Sequence, residues 1–229
     1  MNRFYDLHIH SCLSPCASDD MTPANIAGMA HLKGLSLIAL TDHNSGDNLS
    51  AMAKAAAEYG LVFVPGIEVT TSEEVHVLTY FADVTTAVAF GNKLYEALPD
   101  IENRPDIFGN QLMMDAEDNV AGSLRKLLLQ ATPHTMDDIT RLARELGGCA
   151  VPAHINRDSF SLLANLGFVP PGLFHCVEVA KSLPCPDIGT DYRLLHSSDA
   201  HSLGNIAEPT EALNNIECAK DFIDYVNNF

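Results

Sequence analysis

The chain has 229 residues, enough for one sizeable domain, and its 47% hydrophobic content excludes a disordered polymer. Thirteen basic against thirty acidic residues leave a formal charge of -17, a field that repels phosphate polymers and argues against polymeric nucleic acid as a partner. With no apolar run of membrane-spanning length and no leader pattern at the amino terminus, a cytoplasmic protein without a membrane partner is expected.

Residues 3–8 read as a first strand. Thr22 as cap and Pro23 in the first turn open a helix that Gly34 stops after Lys33. A second apolar strand follows over 35–41, then an alanine-rich helix over 47–59. Residues 61–69 read as a strand broken at Pro65-Gly66, and 75–81 as a fourth strand. Within an insertion around 100–130, residues 111–115 and 120–122 read as a small hairpin over the mouth of the fold, while 123–130 fits helix or strand. Residues 136–146 form a helix closed by Gly147-Gly148, 149–153 a strand, 160–166 a helix, 174–180 and 194–197 strands, and 218–226 a terminal helix. Short apolar runs alternating with helices predict a parallel α/β sheet with crossover helices, in one domain over 1–229. Cys12, Cys16, Cys149, Cys176, Cys185 and Cys218 lack Cys-x-x-Cys spacing, which suits reduced thiols.

Five polar clusters punctuate these elements: Asp6-Leu7-His8-Ile9-His10, Thr41-Asp42-His43-Asn44, Glu68 with His76, Ala153-His154, and Ser198-Asp199-Ala200-His201. An extended chain sends residues i and i+2 to one side, so His8 with His10, and Asp199 with His201, each aim two donors in one direction. Imidazole and carboxylate are ligands for zinc, manganese or iron. Asp6 and Asp42 precede such histidines and are expected to accept the far ring N–H of a bound imidazole. Asp42 also fits an Asx turn. His31, His134, His175 and His196 read as structural.

The order His-x-His, Thr-Asp-His, Glu then His, Ala-His, Asp-x-His resembles the PHP superfamily of polymerase-associated and histidinol phosphatase domains, over nearly the whole chain. The resemblance implies a distorted (β/α)7-type barrel with its metal site at the carboxyl ends of the strands. It implies two or three divalent ions (zinc, manganese or iron). The first would take His8, His10, Glu68 and Asp199; the second Glu68, His76 and His154; the third His43 and His201. The last third-metal ligand is open: Cys16 stands there as a thiolate ligand or a small core residue, and Asp19 and Asp20 as ligands or helix-start carboxylates. The implied activity is hydrolysis of a small phosphomonoester (nucleotide, sugar or amino-alcohol phosphate) by attack of a metal-bridging hydroxide. Glu68, Asp199 and Arg157 form the catalytic set, and Arg157, Lys181 and Arg193 are candidates for gripping the phosphate. A hydrolase of non-phosphate substrates and a noncatalytic metal-stabilised binding module are the competing readings.

Overall fold

The computed structural model describes residues 2–228. A six-stranded sheet runs in the order β10 (Ala212–Asn214), β1 (Asn2–Asp6), β2 (Leu37–Leu40), β3 (Val62–Thr70), β4 (His76–Tyr80), β7 (Cys149–Pro152). The parallel pair β8 (Cys176–Glu178) and β9 (Arg193–Leu195) continues its curl. Backbone hydrogen bonds join the rim. Ile155 N donates to Glu178 O at 2.9 Å, tying the exit of β7 to β8, and His10 N donates to Ala200 O at 3.0 Å, tying the exits of β1 and β9.

The first helix forms as its sequence predicts. In α1 (Pro23–Leu32) the Thr22 hydroxyl accepts from Asn25 N, and Gly34, at φ +83°, ends it in a conformation that costs glycine little. The strand β2 is buried on both faces. Leu37 and Ala39 pack inside the curl with Leu7, Val64 and Val151, while Ile38 and Leu40 face the helices α1 and α2 (Leu49–Glu58). The terminal helix α7 (Ala219–Asn227) adds Phe222, Ile223 and Val226 to the inner cluster.

The sheet is not uniformly parallel, contrary to expectation. β1, β2 and β3 are parallel, but β4 is antiparallel to β3 and to β7. The linker 71–75 is too short for a crossover helix, so β4 returns as a hairpin. Pro65-Gly66 does not interrupt β3. The ladder with β2 ends at Pro65 and the ladder with β4 begins at Gly66, so the missing proline N–H falls where the strand changes partner. A Cβ on Gly66 would lie 2.9 Å from Thr41 Cγ2 and from Thr79 O, so only glycine fits there.

The helix α3 (Val84–Ala97) was not anticipated, although Asp83 caps it by accepting from Thr86 N and Ala87, Phe90 and Leu94 have helical spacing. After the one-turn α4 (Pro105–Phe108), the hairpin β5 (Leu112–Met114) and β6 (Val120–Ser123) is present as read. It leans on the amino ends of α1 and α2: Thr22 Oγ1 donates to Asp118 at 2.6 Å, and Asn48 Oδ1 accepts from Met114 N at 2.8 Å. Beyond β6, residues 124–130 are neither helix nor strand, and the carbonyls of Leu124, Lys126, Leu128 and Gln130 are taken by the side chains of Gln111 and Asn44. The helices α5 (Met136–Glu145) and α6 (Leu162–Asn165) complete the chain order. No helix among the described residues is long and apolar enough to cross a membrane.

Candidate metal centre

One rim of the curled sheet collects the polar clusters. His8 and His10 leave β1, His43 follows β2, Glu68 lies in β3, His154 follows β7, and Asp199 and His201 follow β9. His76 opens β4, and because that strand runs in reverse its first residue reaches the same rim, paired with Thr70 at the end of β3. The backbone turns through left-handed conformations at His154 (φ +29°) and Asp199 (φ +51°), which for non-glycine residues costs about 1–3 kcal/mol each and is typical of functional sites.

Glu68 is the hub. Its Oε1 lies 3.3 Å from His8 Nε2, 2.9 Å from His76 Nδ1 and 3.3 Å from His154 Nε2. Its Oε2 lies 3.2 Å from His10 Nε2 and 3.1 Å from His43 Nδ1. Asp199 Oδ1 faces His8 Nε2 at 3.2 Å and His10 Nε2 at 3.0 Å. Three sets of ligand atoms each lie within 4.8 Å of one another: His8, His10, Glu68 and Asp199; His43, Glu68 and His76; His10, His43 and His201. The first set is the one the resemblance implies. The others shift the partition, because His43 joins His76 at Glu68 and His10 completes the group of His43 and His201.

These residues fit a cation. Glu68 Oε2, Asp199 Oδ1, His43 Nδ1 and His76 Nδ1 are buried without a hydrogen bond, and His8 Nε2 faces His10 Nε2 at 3.1 Å. Buried polar atoms are almost always paired, so converging unpaired lone pairs ask for positive charge between them. Electrostatics agree. Burial opposes the Glu68 anion, but His76, His8 and His43 outweigh it and hold the carboxyl well below its usual range. Burial likewise opposes charge on His10, yet Asp199 and Glu68 raise it to about 9. His201 is pushed down to about 4 by burial and by neighbouring His10.

The candidate ligands are oriented from behind, partly by residues the sequence did not flag. Glu178 is 2% exposed and accepts His8 Nδ1–H at 3.0 Å and His154 N–H at 3.0 Å, fixing the tautomer that turns His8 Nε2 inward. A lone acid inside the apolar run Cys176-Val177-Glu178-Val179 was its one signal. Ser14 was also missed. Its hydroxyl donates to Asp42 at 2.7 Å and accepts from His10 Nδ1 at 2.9 Å and His43 N at 3.2 Å. Asp42 therefore reaches His10 through Ser14 rather than directly. Asp6 contacts no imidazole. It accepts from Ser198 N, Ser198 Oγ and Ala207 N at 3.0, 2.6 and 2.9 Å, pinning the loop that carries Asp199.

Other candidates fall outside the converging atoms. Cys16 joins none of the three sets, though burial and the nearby Glu68 push its thiol up to about 12; Asp19 accepts from Asn110 Nδ2 at 2.7 Å, and Asp20 offers its carbonyl to Asn25. Arg193 starts β9 at the opposite end of the strand from Asp199. Its guanidinium lies over the Tyr225 ring at 4.4 Å and donates to the Tyr225 carbonyl, so it does not reach the cluster. His196 pairs with Glu211 at 3.0 Å.

Two cavities meet at this rim. A cleft of about 100 Å³ is bounded by Glu68, His43, His76, His201 and Phe160. Beside it opens a chamber of about 490 Å³ whose wall includes Lys181, and both cavities share His154, Arg157 and Asp199. No residue of the 100–130 insertion lines either cavity. Arg157 Nη1 lies 2.5 Å from Asp199 Oδ2 with its side chain 40% exposed, at the boundary of the two spaces. For Arg157→Ala we expect kcat/KM for a phosphate ester to fall by about 10–100-fold, or about 1.4–2.7 kcal/mol. Steady-state kinetics with kcat and KM both unchanged would remove Arg157 from the site.

No family model matches the chain. It is 40% identical over 67 residues, 29% of its length, to a 3',5'-nucleoside bisphosphate phosphatase of Chromobacterium violaceum, covering 22% of that protein. Over 75 residues, 32% of its length, it is 33% identical to a 5'-3' exoribonuclease of Haemophilus influenzae, covering 26% of that protein. The chain thus matches about a quarter of the length of these curated relatives. Among solved structures, a lesion-specific endonuclease of Pyrococcus furiosus superposes with a TM-score of 0.65 at 21% identity, over 99% of this chain and 56% of that one. A protein of Bifidobacterium adolescentis described as a metal-dependent phosphoesterase superposes at 0.64 and 19% identity, over 96% of this chain and 95% of that one. The chain shares their fold.

These likenesses overturn one expectation. The formal charge of -17 was read as excluding polymeric nucleic acid, yet the chain resembles an exoribonuclease in sequence and an endonuclease in fold. Net charge sums the whole surface, whereas the field in a cleft is set by the groups and ions within it.

Proposed function

We propose that the chain is a metal-dependent phosphoesterase of the PHP superfamily, holding two or three divalent ions of zinc, manganese or iron. One observation carries this reading: both oxygens of buried Glu68 face imidazoles delivered from β1, β2, β4 and β7, with Asp199 closing the cup. The names of the Chromobacterium relative and of the Bifidobacterium structure support the phosphoester class.

In this reading His8, His10, Glu68 and Asp199 hold the first ion. Glu68, His76 and His154 hold the second with His43 in reach, and His10, His43 and His201 surround a third. Bound there, such ions supply Lewis acidity and a water that ionises near neutral pH. The protein's own part is placement. Glu178 and Ser14 lock His8 and His10 with Nε2 inward, Asp199 shares its anion between the cluster and Arg157, and Arg157 offers its fork to a phosphoryl oxygen in the cleft. The substrate is a phosphomonoester, as a nucleotide, a sugar phosphate or an amino-alcohol phosphate, or as the phosphorylated end of a nucleic acid.

Metal removal tests the proposal. Protein stripped with a chelator and verified metal-free should release phosphate from none of a panel of nucleotides, sugar phosphates, amino-alcohol phosphates and 5'-phosphorylated oligonucleotides. Adding back zinc, manganese or iron should restore release from at least one. Hydrolysis that survives verified metal removal would refute the mechanism.

A further inference from the structure

We propose that Phe160 is a positioning residue of the metal centre: its ring sets the plane of the His76 imidazole, and the strained backbone at residue 160 is what delivers that ring. The inference rests on the metal centre of the proposed function and not on its substrate.

The imidazoles around Glu68 are not all held in the same way. Glu178 binds the outer nitrogen of His8, and Ser14 that of His10. His76 turns Nδ1 toward Glu68 at 2.9 Å, and among the described residues no hydrogen bond holds its Nε2. The torsion that rotates an imidazole is broad and roughly two-fold, so a ring without an outer polar partner takes its plane from packing. Phe160 supplies that packing. The two ring centroids lie 4.8 Å apart with the planes 22° from parallel, a stacked pair. His43 and His154 also meet the His76 ring, at 60° and 66°, but both are candidate ligands themselves. Among the described residues, Phe160 is thus the ring partner of His76 that stands outside the cluster. It fixes the plane and leaves Glu68 to select the Nδ1 edge.

The backbone carries the second observation. Phe160 stands at φ +51°, a left-handed conformation that is an outlier for so bulky a residue. Its side chain is 42% exposed, so burial in the core does not account for the strain. Neighbouring bonds impose it instead. Ser161 Oγ donates to Arg157 O at 2.6 Å and accepts from Ala164 N at 3.3 Å, closing the turn 157–161 onto α6, and His76 N donates to Phe160 O at 3.0 Å. Residue 160 is therefore tied to the start of β4 by both backbone and ring, while the same turn sends Arg157 to Asp199. Strain that the surroundings over-determine in this way collects at functional sites.

Three variants separate positioning from stability. Phe160→Tyr keeps the ring, Phe160→Ala removes the ring and leaves the strain, and Phe160→Gly removes both. Competition between the protein and a metal-sensitive dye for zinc reads affinity, and the melting temperature of the metal-free protein reads stability. We expect Phe160→Tyr to keep wild-type affinity, and Phe160→Ala and Phe160→Gly each to lose at least about tenfold for one of the bound zinc ions. Phe160→Gly should melt about 2–4 °C above Phe160→Ala. A purely structural role would make affinity follow stability. Unchanged affinity in Phe160→Ala, affinity that returns in Phe160→Gly along with the melting temperature, or a Phe160→Gly protein that melts no higher than Phe160→Ala overturns the inference. Zinc affinity that depends on the ring in a protein that releases no phosphate would uphold Phe160 and sink the phosphoesterase reading; metal-dependent release with zinc affinity indifferent to Phe160 would do the reverse.

Discussion

Glu68→Gln is expected to lower kcat/KM for phosphate release by at least ~1,000-fold, about 4 kcal/mol of transition-state stabilisation, and to reduce the metal bound per chain. Glu68 lies against His8, His76 and His154 through one oxygen and His10 and His43 through the other, so neutralising it removes the anion common to two of the ligand sets. Glutamine keeps the size and one acceptor. It also directs an N–H₂ group at imidazole nitrogens that have to stay free as ligands. Steady-state kinetics reads the first effect and metal analysis after dialysis the second. A Glu68→Gln protein with wild-type stoichiometry and rate would remove Glu68 from the centre of the site.

The second large effect falls on a residue that need not touch metal or substrate. Glu178→Ala should weaken metal affinity by about 10–100-fold, the usual consequence of losing the group that orients a ligating histidine. The carboxylate accepts from both His8 Nδ1 and His154 N, and so links the exit of β1 to that of β7. Its loss leaves two donors unsatisfied. Because Glu178 borders the 490 Å³ chamber, water can reach them, and the stability cost should stay near the low end of the range, about 1–3 kcal/mol. Competition with a metal-sensitive dye measures the affinity, and Glu178→Gln, which keeps an acceptor, should recover part of it. Unchanged affinity in Glu178→Ala would mean that His8 is held without it.

The convergence of the candidate ligands was legible because their signals are local. A His-x-His or Asp-x-His after an apolar run states its own geometry, and His8, His10, Glu68, His76, His154 and Asp199 all arrive at one rim. The hairpin was legible for the same reason, since two apolar runs around Ala116-Glu117-Asp118-Asn119 specify a turn between neighbours. Function signals drawn from sums were weaker. The acidic composition was read as excluding polymeric nucleic acid, which the likenesses contradict, because a total of charges has no address.

The failures concern partners far apart in the chain. Asp6 and Asp42 stand next to ligand histidines in sequence, yet Asp6 grips the Ser198 loop and Asp42 works through Ser14, while Glu178 takes the His8 ring across 170 positions. Arg193 was a candidate for gripping the phosphate, but it starts β9 at the end of that strand away from Asp199 and donates to the Tyr225 carbonyl. Strand direction made a comparable difference at His76, which reaches the rim only because β4 runs backwards.

By itself the sequence determined the donor types, their order along the chain and the side of the strand on which each pair faces, because these follow from backbone geometry within a few residues. Tertiary structure alone decided which carboxylate backs which imidazole, the reversal of β4 and the placing of Arg193 at the far end of its strand. Those depend on strand order and register, set by the burial of Leu7, Leu37, Val64 and Val151 against one another, and no local period records them.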